Sequence, residues 1–401
     1  MTGTSAHRWP NSAAKYRKSI KCYSVEWSLP RWFPGMTEVI AMDVTVLRPD
    51  ELTTADISAW HAMQRGDLAL ANPFLSPEFA RAVGHQRTNA RVARLTVPTP
   101  EGPHPVGFFP FERHALGSGK PIGSGFCDYQ GLIHEPGLDW DPMELLRACD
   151  LAIWEYDHLA AGQTRFENAG THRARAASPI IEVNGDLSAY LERRRRAFLK
   201  EVRQKERRLT RELGPVRLVF HAPEPALLDT LIRWKAAQLE AKGLRHNLLS
   251  QDWFQAILRE LLDLSSESCS GVLAALYAGE EVVALRYALR SRQVLADWFP
   301  AYDTRFSRCS PGLVLYLKVT EAAQEHGIAR IDLGKGTEPF KQDLKTAELA
   351  VTEGYVARHT AKAALWRART ASGRTARAAL HANPGLRRAA VKAAGVVDRR
   401  R

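Results

Sequence analysis

The stretch "SRCSPGLVLYLK", residues 307–318, changes abruptly from a small, polar, slightly basic run to an apolar one. From Leu313 onward the apolar residues recur every three or four positions, which predicts an amphipathic helix ending near Gly327. The Ser-Pro-Gly tripeptide at 310–312 stands where this helix begins. A serine hydroxyl can cap the first free amides of a helix, and proline suits the first helical position because no amide hydrogen is needed there. We therefore predict Ser310 as the N-cap.

Gly312 adds a second feature to this helix start. Glycine leaves the backbone bare, so a ligand can approach it closely. The first turn of a helix also offers unpaired amide donors and a partial positive charge, which suit an anion, typically a phosphate. On these grounds two interpretations remain open for the tripeptide, an ordinary capped helix start and a phosphate site.

The composition is that of a soluble globular protein long enough for two domains, with 401 residues, 45 % of them hydrophobic and 25 % charged. No apolar run reaches the roughly eighteen residues that a membrane span needs. The cysteines form no CxxC pair, and no cysteine–histidine cluster has the spacing of a zinc site, so we expect no metal and a reducing, cytoplasmic environment. They are Cys22, Cys127, Cys149, Cys269 and Cys309.

The net charge of +12 is concentrated at the two ends of the chain. Residues 359–401 hold eleven Lys/Arg and one acidic residue, and residues 1–41 hold six and two, so the body between them is close to neutral. A nucleic-acid-binding domain carries a basic face of its own, and we therefore expect no nucleic-acid partner. The Ala- and Arg-rich tail, 359–401, has two interpretations: a solvated, partly disordered chain, or an electrostatic tether to an anionic polymer or the inner face of a membrane.

The first forty residues show no sustained periodicity and no signal-peptide core. At Met42 the character changes, because "MDVTVLRP" alternates as a first strand does. Residues 1–41 are therefore predicted to be a disordered leader or an upstream extension of a chain that begins at Met36 or Met42.

The body divides into two halves. From 42 to 180 the pattern mixes strands and helices, and the helix "SPEFARAVGHQ" has Ser76 as its predicted cap. From 181 to 358 the predicted order is a long arginine-rich helix, a strand, two helices, three consecutive strands, the Ser310 helix, a strand, the short helix "EPFKQDL" and a last strand. This order matches the layout of GNAT acyltransferases, in which the central helix begins in a gap between strands and holds the CoA pyrophosphate. It favours the phosphate interpretation.

Four stretches resemble the CelD/BcsL-type GNAT acetyltransferases, a family associated with cellulose biosynthesis and related to the Fem-type aminoacyltransferases of peptidoglycan. Together they span roughly 72 to 344, and the last is the most specific. They are "NPFLSPEF" (72–79), "CDYQGLI" (127–133), "SPIIEV" with "RRRRAFLKEVRQKERRL", and "AYDTRFSRCSPGLVL" continued by "GIARIDLGKGTEPFKQDL" (301–344).

The resemblance implies an α/β (α+β) fold of two tandem GNAT-like units with mixed sheets flanked by helices. A degenerate unit is expected over 42–180, where no comparable glycine-bearing helix start occurs, and the acyltransferase unit over 181–358. The implied donor is acetyl-CoA or another acyl-CoA. The residues expected to bind it are Arg308, Cys309, Ser310, Gly312 and Leu313. The sequence departs from the family where Cys309 and Leu333 replace an expected aromatic residue, and from the general GNAT pyrophosphate motif in having one glycine.

Direct acyl transfer needs donor and acceptor held together, a route for the acceptor's proton and stabilisation of the oxyanion. By resemblance Lys341 reaches the reacting carbonyl; the alternative is a solvated helix lysine. Asp332, at a strand end, is expected to orient Lys341, to accept a proton, or to cap the following turn. Tyr302 is expected to protonate the leaving thiolate or to pack in the core. Asp297 and Trp298 point to opposite faces of one strand, so only one of them can face the cleft.

Three further features have a functional and a structural interpretation each. His246 lies on the helical acceptor side or on the surface. Cys309 is a nucleophile at a helix start, where thiolates are favoured, or an ordinary cysteine. The basic residues of 193–208 hold phosphates or an anionic polymer, or form a solvated helix face paired with nearby glutamates.

The leading interpretation is an acyl-CoA-dependent N- or O-acyltransferase acting on an amine, a sugar or a polysaccharide precursor, as in exopolysaccharide or cellulose biosynthesis. The alternatives are a non-catalytic accessory protein of a polysaccharide-synthesis assembly and a Fem-like transferase that uses aminoacyl-tRNA. Binding of acyl-CoA separates the first from the second. The sequence does not name the acceptor.

Overall fold

The computed structural model describes residues 17–21, 41–183, 191–192, 195–243 and 248–370. Fourteen strands in these ranges form one mixed sheet, against which the helices pack. The elements of the first half are β1 Arg17–Lys21, β2 Ala41–Leu47, α1 Thr54–Gly66, α2 Pro77–Gln86, β3 Ala90–Thr99, β4 Gly102–Arg113, β5 Ser118–Pro121, β6 Ile133–His134, α3 Pro142–Ala148, β7 Ile153–Leu159, α4 Thr164–Ala169 and β8 Thr171–Glu182.

The second half follows the order that the sequence predicted. Its elements are α5 Arg196–Leu213, β9 Val216–Val219, α6 Pro225–Ala241, α7 Asp252–Asp263, β10 Ser270–Ala278, β11 Glu281–Arg290, β12 Val294–Tyr302, α8 Pro311–Ala322, β13 Arg330–Asp332, α9 Pro339–Leu344 and β14 Ala347–Ala357, with a last helix, α10, over 361–370.

The two halves share one sheet, because strands of the second half pair with strands of the first. Its order is β1-β2-β3-β4-β5-β7-β14-β8-β13-β12-β11-β10-β9, and β6 pairs with β4. The last strand, β14, therefore lies between β7 and β8 and is antiparallel to both. Two neighbouring pairs are parallel, β5 with β7 and β12 with β13. Because β8 pairs with both β13 and β14, the boundary predicted at 180 falls inside a strand of the shared sheet.

An aromatic cluster forms a core that both halves share. The ring centroid of Trp298 on β12 lies 5.3 Å from that of Phe74, 6.2 Å from that of Phe126 and 5.7 Å from that of Phe254 on α7. Phe74 and Phe126 come from the first half, so burial of these rings holds the halves together. The indole Nε1 of Trp298 also donates to the Phe126 carbonyl over 3.0 Å, which satisfies its polar group inside the core.

A β-bulge interrupts the pairing of β11 with β12. Tyr287 pairs with Phe299 and Ala288 pairs with Asp297, so Trp298 has no partner residue on β11. A bulge leaves one residue unpaired and bends its strand, and such bulges are common beside active sites. Here it precedes the end of β12, where the candidate site lies.

Two segments differ from the predictions made for the chain ends. Residues 17–21 of the leader form the edge strand β1, paired with β2, where no regular structure was predicted. At the other end α10 packs on the body, because the ring of Trp366 lies 5.2 Å from that of Tyr355 and the Arg173 guanidinium lies over both rings. The tail is therefore not wholly solvated; residues 371–401 lie outside the described residues.

Candidate active site

The sheet opens between β12 and β13. The two strands pair in parallel over three residues only, Val294–Ala296 with Arg330–Asp332, and β12 then continues to Tyr302 without β13. The carboxyl ends of neighbouring parallel strands are the usual place for a ligand in such sheets. The gap beyond Ala296 is therefore the candidate cleft.

Helix α8 begins at Pro311 with Ser310 at the N-cap position, as predicted, but the predicted capping by the Ser310 hydroxyl is wrong. Ser310 has a left-handed backbone, with φ 45° and ψ 53°, and its side chain accepts no capping hydrogen bond. Its amide donates to the Ser307 carbonyl over 3.0 Å, and its carbonyl accepts from the Leu313 amide over 2.9 Å. Ser310 ends the preceding 3-10 turn, Thr304–Cys309, in the left-handed conformation that is common at helix ends. In this conformation its hydroxyl does not reach the first amides of α8.

Gly312 faces open space at this helix start. A Cβ atom placed on Gly312 would meet one heavy atom within 4 Å, Cδ1 of Tyr302 at 3.6 Å. Tyr302 is thus beside Gly312 at the end of β12, and its ring is partly buried. The bare backbone and the aromatic ring form one wall at the mouth of the cleft.

The two residues before Ser310 differ in exposure. Arg308 is exposed, and its carbonyl accepts from Nζ of Lys205 on α5 over 3.3 Å. Cys309 is 1 % exposed and its Sγ lies 3.7 Å from a Glu212 carboxylate oxygen. Burial raises the pKa of the Cys309 thiol and the Glu212 carboxylate adds to the rise, so the thiolate required of a nucleophile is disfavoured. The interpretation of Cys309 as a nucleophile is not supported, and its side chain faces α5.

Lys341 of α9 lies buried beside the cleft, which excludes the alternative of a solvated lysine. Its Nζ donates to the carbonyls of Gly334 and Lys335, over 3.3 and 3.2 Å, and lies 3.3 Å from a carboxylate oxygen of Glu338. The loop after β13 thus wraps around the ammonium group. An ammonium has three donors, so a substrate oxygen can reach it only in exchange for one of these partners. Glu338 is the exposed one.

Asp332 holds that loop in place. One carboxylate oxygen accepts from the Ser178 hydroxyl over 3.0 Å and from the Gly334 amide over 2.9 Å, and the other accepts from the Asn72 side chain over 3.3 Å. Burial raises the pKa of Asp332, against the Gly334 and Ser178 hydrogen bonds that lower it. Asp332 therefore caps the turn, as one alternative predicted. It positions Lys341 through the Gly334 carbonyl.

A buried network lies under the cleft. Arg286 Nε donates to Asp297 over 2.6 Å, and the Tyr316 hydroxyl of α8 donates to the other oxygen of the same carboxylate. The Tyr316 ring lies 4.7 Å from that of Phe340 on α9. Asp297 and Trp298 do point in different directions, Asp297 into this network and Trp298 into the aromatic cluster.

Several residues at the cleft were not predicted. Asp128, on the loop after β5, lies with one carboxylate oxygen 3.4 Å from the place of a Cβ on Gly334. His158 of β7 lies beside Asp128. Lys235 of α6 donates to the Pro300 carbonyl over 3.0 Å, and burial lowers its pKa. Asp128 belongs to the stretch "CDYQGLI", which carries part of the family resemblance, but nothing local in the sequence indicates its neighbours.

The remaining predicted residues fall elsewhere. His246, Arg193 and Arg194 lie outside the described residues. In the rest of the basic block, the ion pairs of Arg203 with Glu192 and Arg208 with Glu212 agree with a partly paired helix face. Across the described ranges no group of three His, Cys, Asp or Glu side chains could hold a metal ion. Within the same ranges, every helix is too short or too polar to cross a membrane.

Residues 193–342 match the family model described as an acetyltransferase (GNAT) domain. Among solved structures the chain is similar to FemX, with 11 % identity, a TM-score of 0.52, and 78 % of this chain and 97 % of that chain covered. It is also similar to the tandem GNAT protein of the clavulanic acid biosynthesis pathway (10 %, 0.41, 78 % and 98 %) and to L-PGS from Bacillus licheniformis (11 %, 0.46, 77 % and 93 %). No curated protein matches the chain.

The matched domain includes both strands of the candidate cleft. The chain carries a GNAT acetyltransferase domain, which contains β12, α8, β13 and most of α9. The predicted mixed α/β fold of GNAT-like units is confirmed. The similarity to FemX concerns the fold alone at this identity, and it extends over most of the chain.

Proposed function

We propose that this protein is a CelD/BcsL-type acyltransferase that transfers an acyl group, acetyl in the first instance, from acyl-CoA to an amine or hydroxyl acceptor. The observation that carries the proposal is the open start of α8, with Gly312 bare beside Tyr302 at the mouth of the β12–β13 cleft. A helix start with an exposed backbone suits a pyrophosphate. The GNAT domain matched over 193–342 supports the same donor.

Each candidate residue takes a role in this proposal. The backbone around Gly312 and Leu313 holds the CoA pyrophosphate, and the exposed Arg308 supplies charge nearby. Lys341 exchanges its Glu338 contact for the carbonyl oxygen as negative charge develops there. Tyr302 protonates the departing thiolate. Ser310 and Cys309 shape the turn that precedes the helix, and Asp332 positions the loop around Lys341.

One observation favours a second candidate function. All three donors of the Lys341 ammonium have protein partners. A lysine held in this way also suits a GNAT-fold accessory protein that scaffolds polysaccharide synthesis without turnover.

For the enzyme we propose a sugar or polysaccharide precursor as the acceptor. We also propose that residues 371–401, with eight Lys/Arg, tether the protein to an anionic membrane at the cytoplasmic face. Co-sedimentation of full-length and 1–370 protein with anionic vesicles at two salt concentrations tests the tether.

Isothermal titration tests the donor. Full-length protein is titrated with acetyl-CoA, longer acyl-CoAs and free CoA, and release of the CoA thiol is then followed with sugar and amine acceptors. We expect saturable binding of one donor per chain and thiol release that depends on the acceptor. Binding without turnover of any acyl-CoA would favour the accessory protein, and absence of binding would contradict both the donor and the cleft.

A further inference from the structure

The loop that follows β5 brings a carboxylate of the first half into the cleft of the second. The Trp298 indole of β12 donates to the Phe126 carbonyl over 3.0 Å and so fixes the loop against the second half. Two residues later, Asp128 Oδ2 lies 3.4 Å from the place of a Cβ on Gly334, whose carbonyl holds Lys341. A glycine at 334 leaves room for this carboxylate. The GNAT domain match begins at 193 and does not include it.

Two side chains of β7, His158 and Asp157, lie on one side of Asp128. His158 Nε2 lies 3.8 Å from Asp128 Oδ1, and His158 Nδ1 lies 3.2 Å from a carboxylate oxygen of Asp157. Gln130 fixes this arrangement, because its amide nitrogen donates to the Asp157 carboxylate over 2.6 Å and its oxygen accepts from the backbone amides of Asp157 and His158. In space, the side chains of Asp157, His158 and Asp128 thus follow one another in a row of titratable groups that ends at the cleft.

Asp128 and Asp332 differ in what their oxygens can do. Both oxygens of Asp332 accept hydrogen bonds, and its side chain is buried. The side chain of Asp128 is 33 % exposed, and within the described ranges no donor lies within hydrogen-bond distance of it. Of these two carboxylates, Asp128 is therefore the one whose oxygens are free to receive a proton from a ligand in the cleft.

We infer that Asp128 is the proton acceptor of the reaction and that His158 positions it, an inference that rests on the proposed acyl transfer. The nucleophilic N–H or O–H of the acceptor gives its proton to Asp128, and the freed electron pair forms the bond to the acyl carbon. The carbon–sulfur bond breaks, its electron pair leaves on sulfur, and the thiolate takes a proton from Tyr302. Solvent then removes the proton from Asp128 and restores that of Tyr302. The catalytic base thus comes from the first half.

The charged groups around Asp128 suit this task. They are His158 and Asp157 of β7, Asp332 of β13 and Lys341 of α9. Burial raises the pKa of Asp128 to about 6, with Asp332 adding to the rise and His158 and Lys341 opposing it. A base with a pKa near but below neutral is ionised at pH 7 and still accepts a proton readily. Turnover should therefore rise as the pH passes upward through about 6.

The experiment measures thiol release from acetyl-CoA, with glucosamine as the probe acceptor, between pH 5 and 8. Full-length wild type is compared with Asp128→Asn, with Asp128→Glu as a rescue variant and with Glu325→Gln, an exposed acid on another surface, as the matched control. We expect Asp128→Asn to lower kcat by about 10² to 10⁴, which is the range for a lost general base. It should also remove the acid limb of the pH profile, which is the fall in turnover below about pH 6. Its affinity for acetyl-CoA, measured by titration, should stay within twofold of wild type.

His158→Gln separates positioning from a merely structural role. Loss of the imidazolium removes charge that favours the Asp128 anion, so the acid limb should move to higher pH. Asp128→Asn with wild-type kcat and an intact acid limb would overturn the inference and leave the proposed function standing. A wild type that binds no acetyl-CoA would overturn both. Asp128→Glu, which keeps the carboxylate, should restore part of the activity and the limb.

Discussion

Two helices of this protein begin with the same dipeptide and end up with opposite properties. At the start of α2, Ser76 has an extended backbone, and its hydroxyl accepts from the Phe79 amide over 3.0 Å. At the start of α8, Ser310 has a left-handed backbone and its hydroxyl accepts no capping hydrogen bond. Both are followed by proline at the first helical position. One helix start is closed by its own side chain and buried, while the other stays open beside Gly312.

The difference comes from what precedes each serine. Ser76 follows a three-residue 3-10 turn, Pro73–Leu75, and keeps an extended backbone. Ser310 follows the longer turn Thr304–Cys309 and terminates it in the left-handed conformation that commonly ends helical segments. The closed start packs into the core that both halves share, and the open one lies at the cleft of the second half. A helix start can serve a ligand only where the chain has not already capped it.

Among the substitutions that test this comparison, the largest effect is expected at the cleft beside the open start. Lys341→Ala should lower turnover by about 10² to 10³, the usual scale for one lost oxyanion donor, with donor affinity little changed. Thiol release from acetyl-CoA under saturation measures the change. Lys341→Met, which keeps the buried stem, should match it if the ammonium is what counts. Glu338→Gln, which alters only the exposed partner, should retain most of the turnover; equal turnover in all four proteins would make Lys341 structural.

Gly312→Val addresses the open start directly. The new side chain would stand where the pyrophosphate approaches, so we expect at least a tenfold loss of CoA affinity, equivalent to about 1.4 kcal/mol. The fold should survive, because Gly312 lacks a positive φ and its Cβ would make only an ordinary contact with Tyr302. Gly66→Val at the end of α1, where a Cβ also meets open space, is the matched control. Unchanged affinity in a folded Gly312→Val protein would place the pyrophosphate elsewhere.

The sequence predicted what depends on local pattern. Periodicity and Pro311 located α8, and the pattern also located the three consecutive strands β10, β11 and β12, which pair antiparallel in the structure. The predicted capping bond of the Ser310 hydroxyl was wrong because the Ser310 backbone is set by the turn before it, which a helix-start pattern does not describe. Asp128 was missed because residues far apart in the sequence meet at the cleft. They are brought together by the insertion of β14 between β7 and β8 and by the shared aromatic core. Such pairings leave no period in one sequence.

Paired alanine substitutions at the two serines measure the comparison itself. Ser76→Ala should lower the free energy of unfolding by about 1 kcal/mol, the typical loss of an N-cap. Ser310→Ala removes no capping bond and should stay within about 0.5 kcal/mol of wild type. Apparent thermal midpoints of the full chain give the ranking. If Ser310→Ala proved as destabilising as Ser76→Ala, the hydroxyl of Ser310 would be capping α8 in solution and the start would be closed.

The smallest effect is expected from Ser310→Gly, and it has the opposite sign. A left-handed backbone costs a non-glycine residue about 1 to 2 kcal/mol, which glycine avoids. Glycine also gains freedom in the unfolded chain, which offsets part of that gain, so the net stabilisation should be about 0.5 kcal/mol. The thermal midpoint should rise slightly while acetyl-CoA affinity stays at the wild-type value, because the amides of Gly312 and Leu313 keep their places. A lower midpoint would mean that Ser310 leaves the left-handed conformation in solution, and the two helix starts would then be alike.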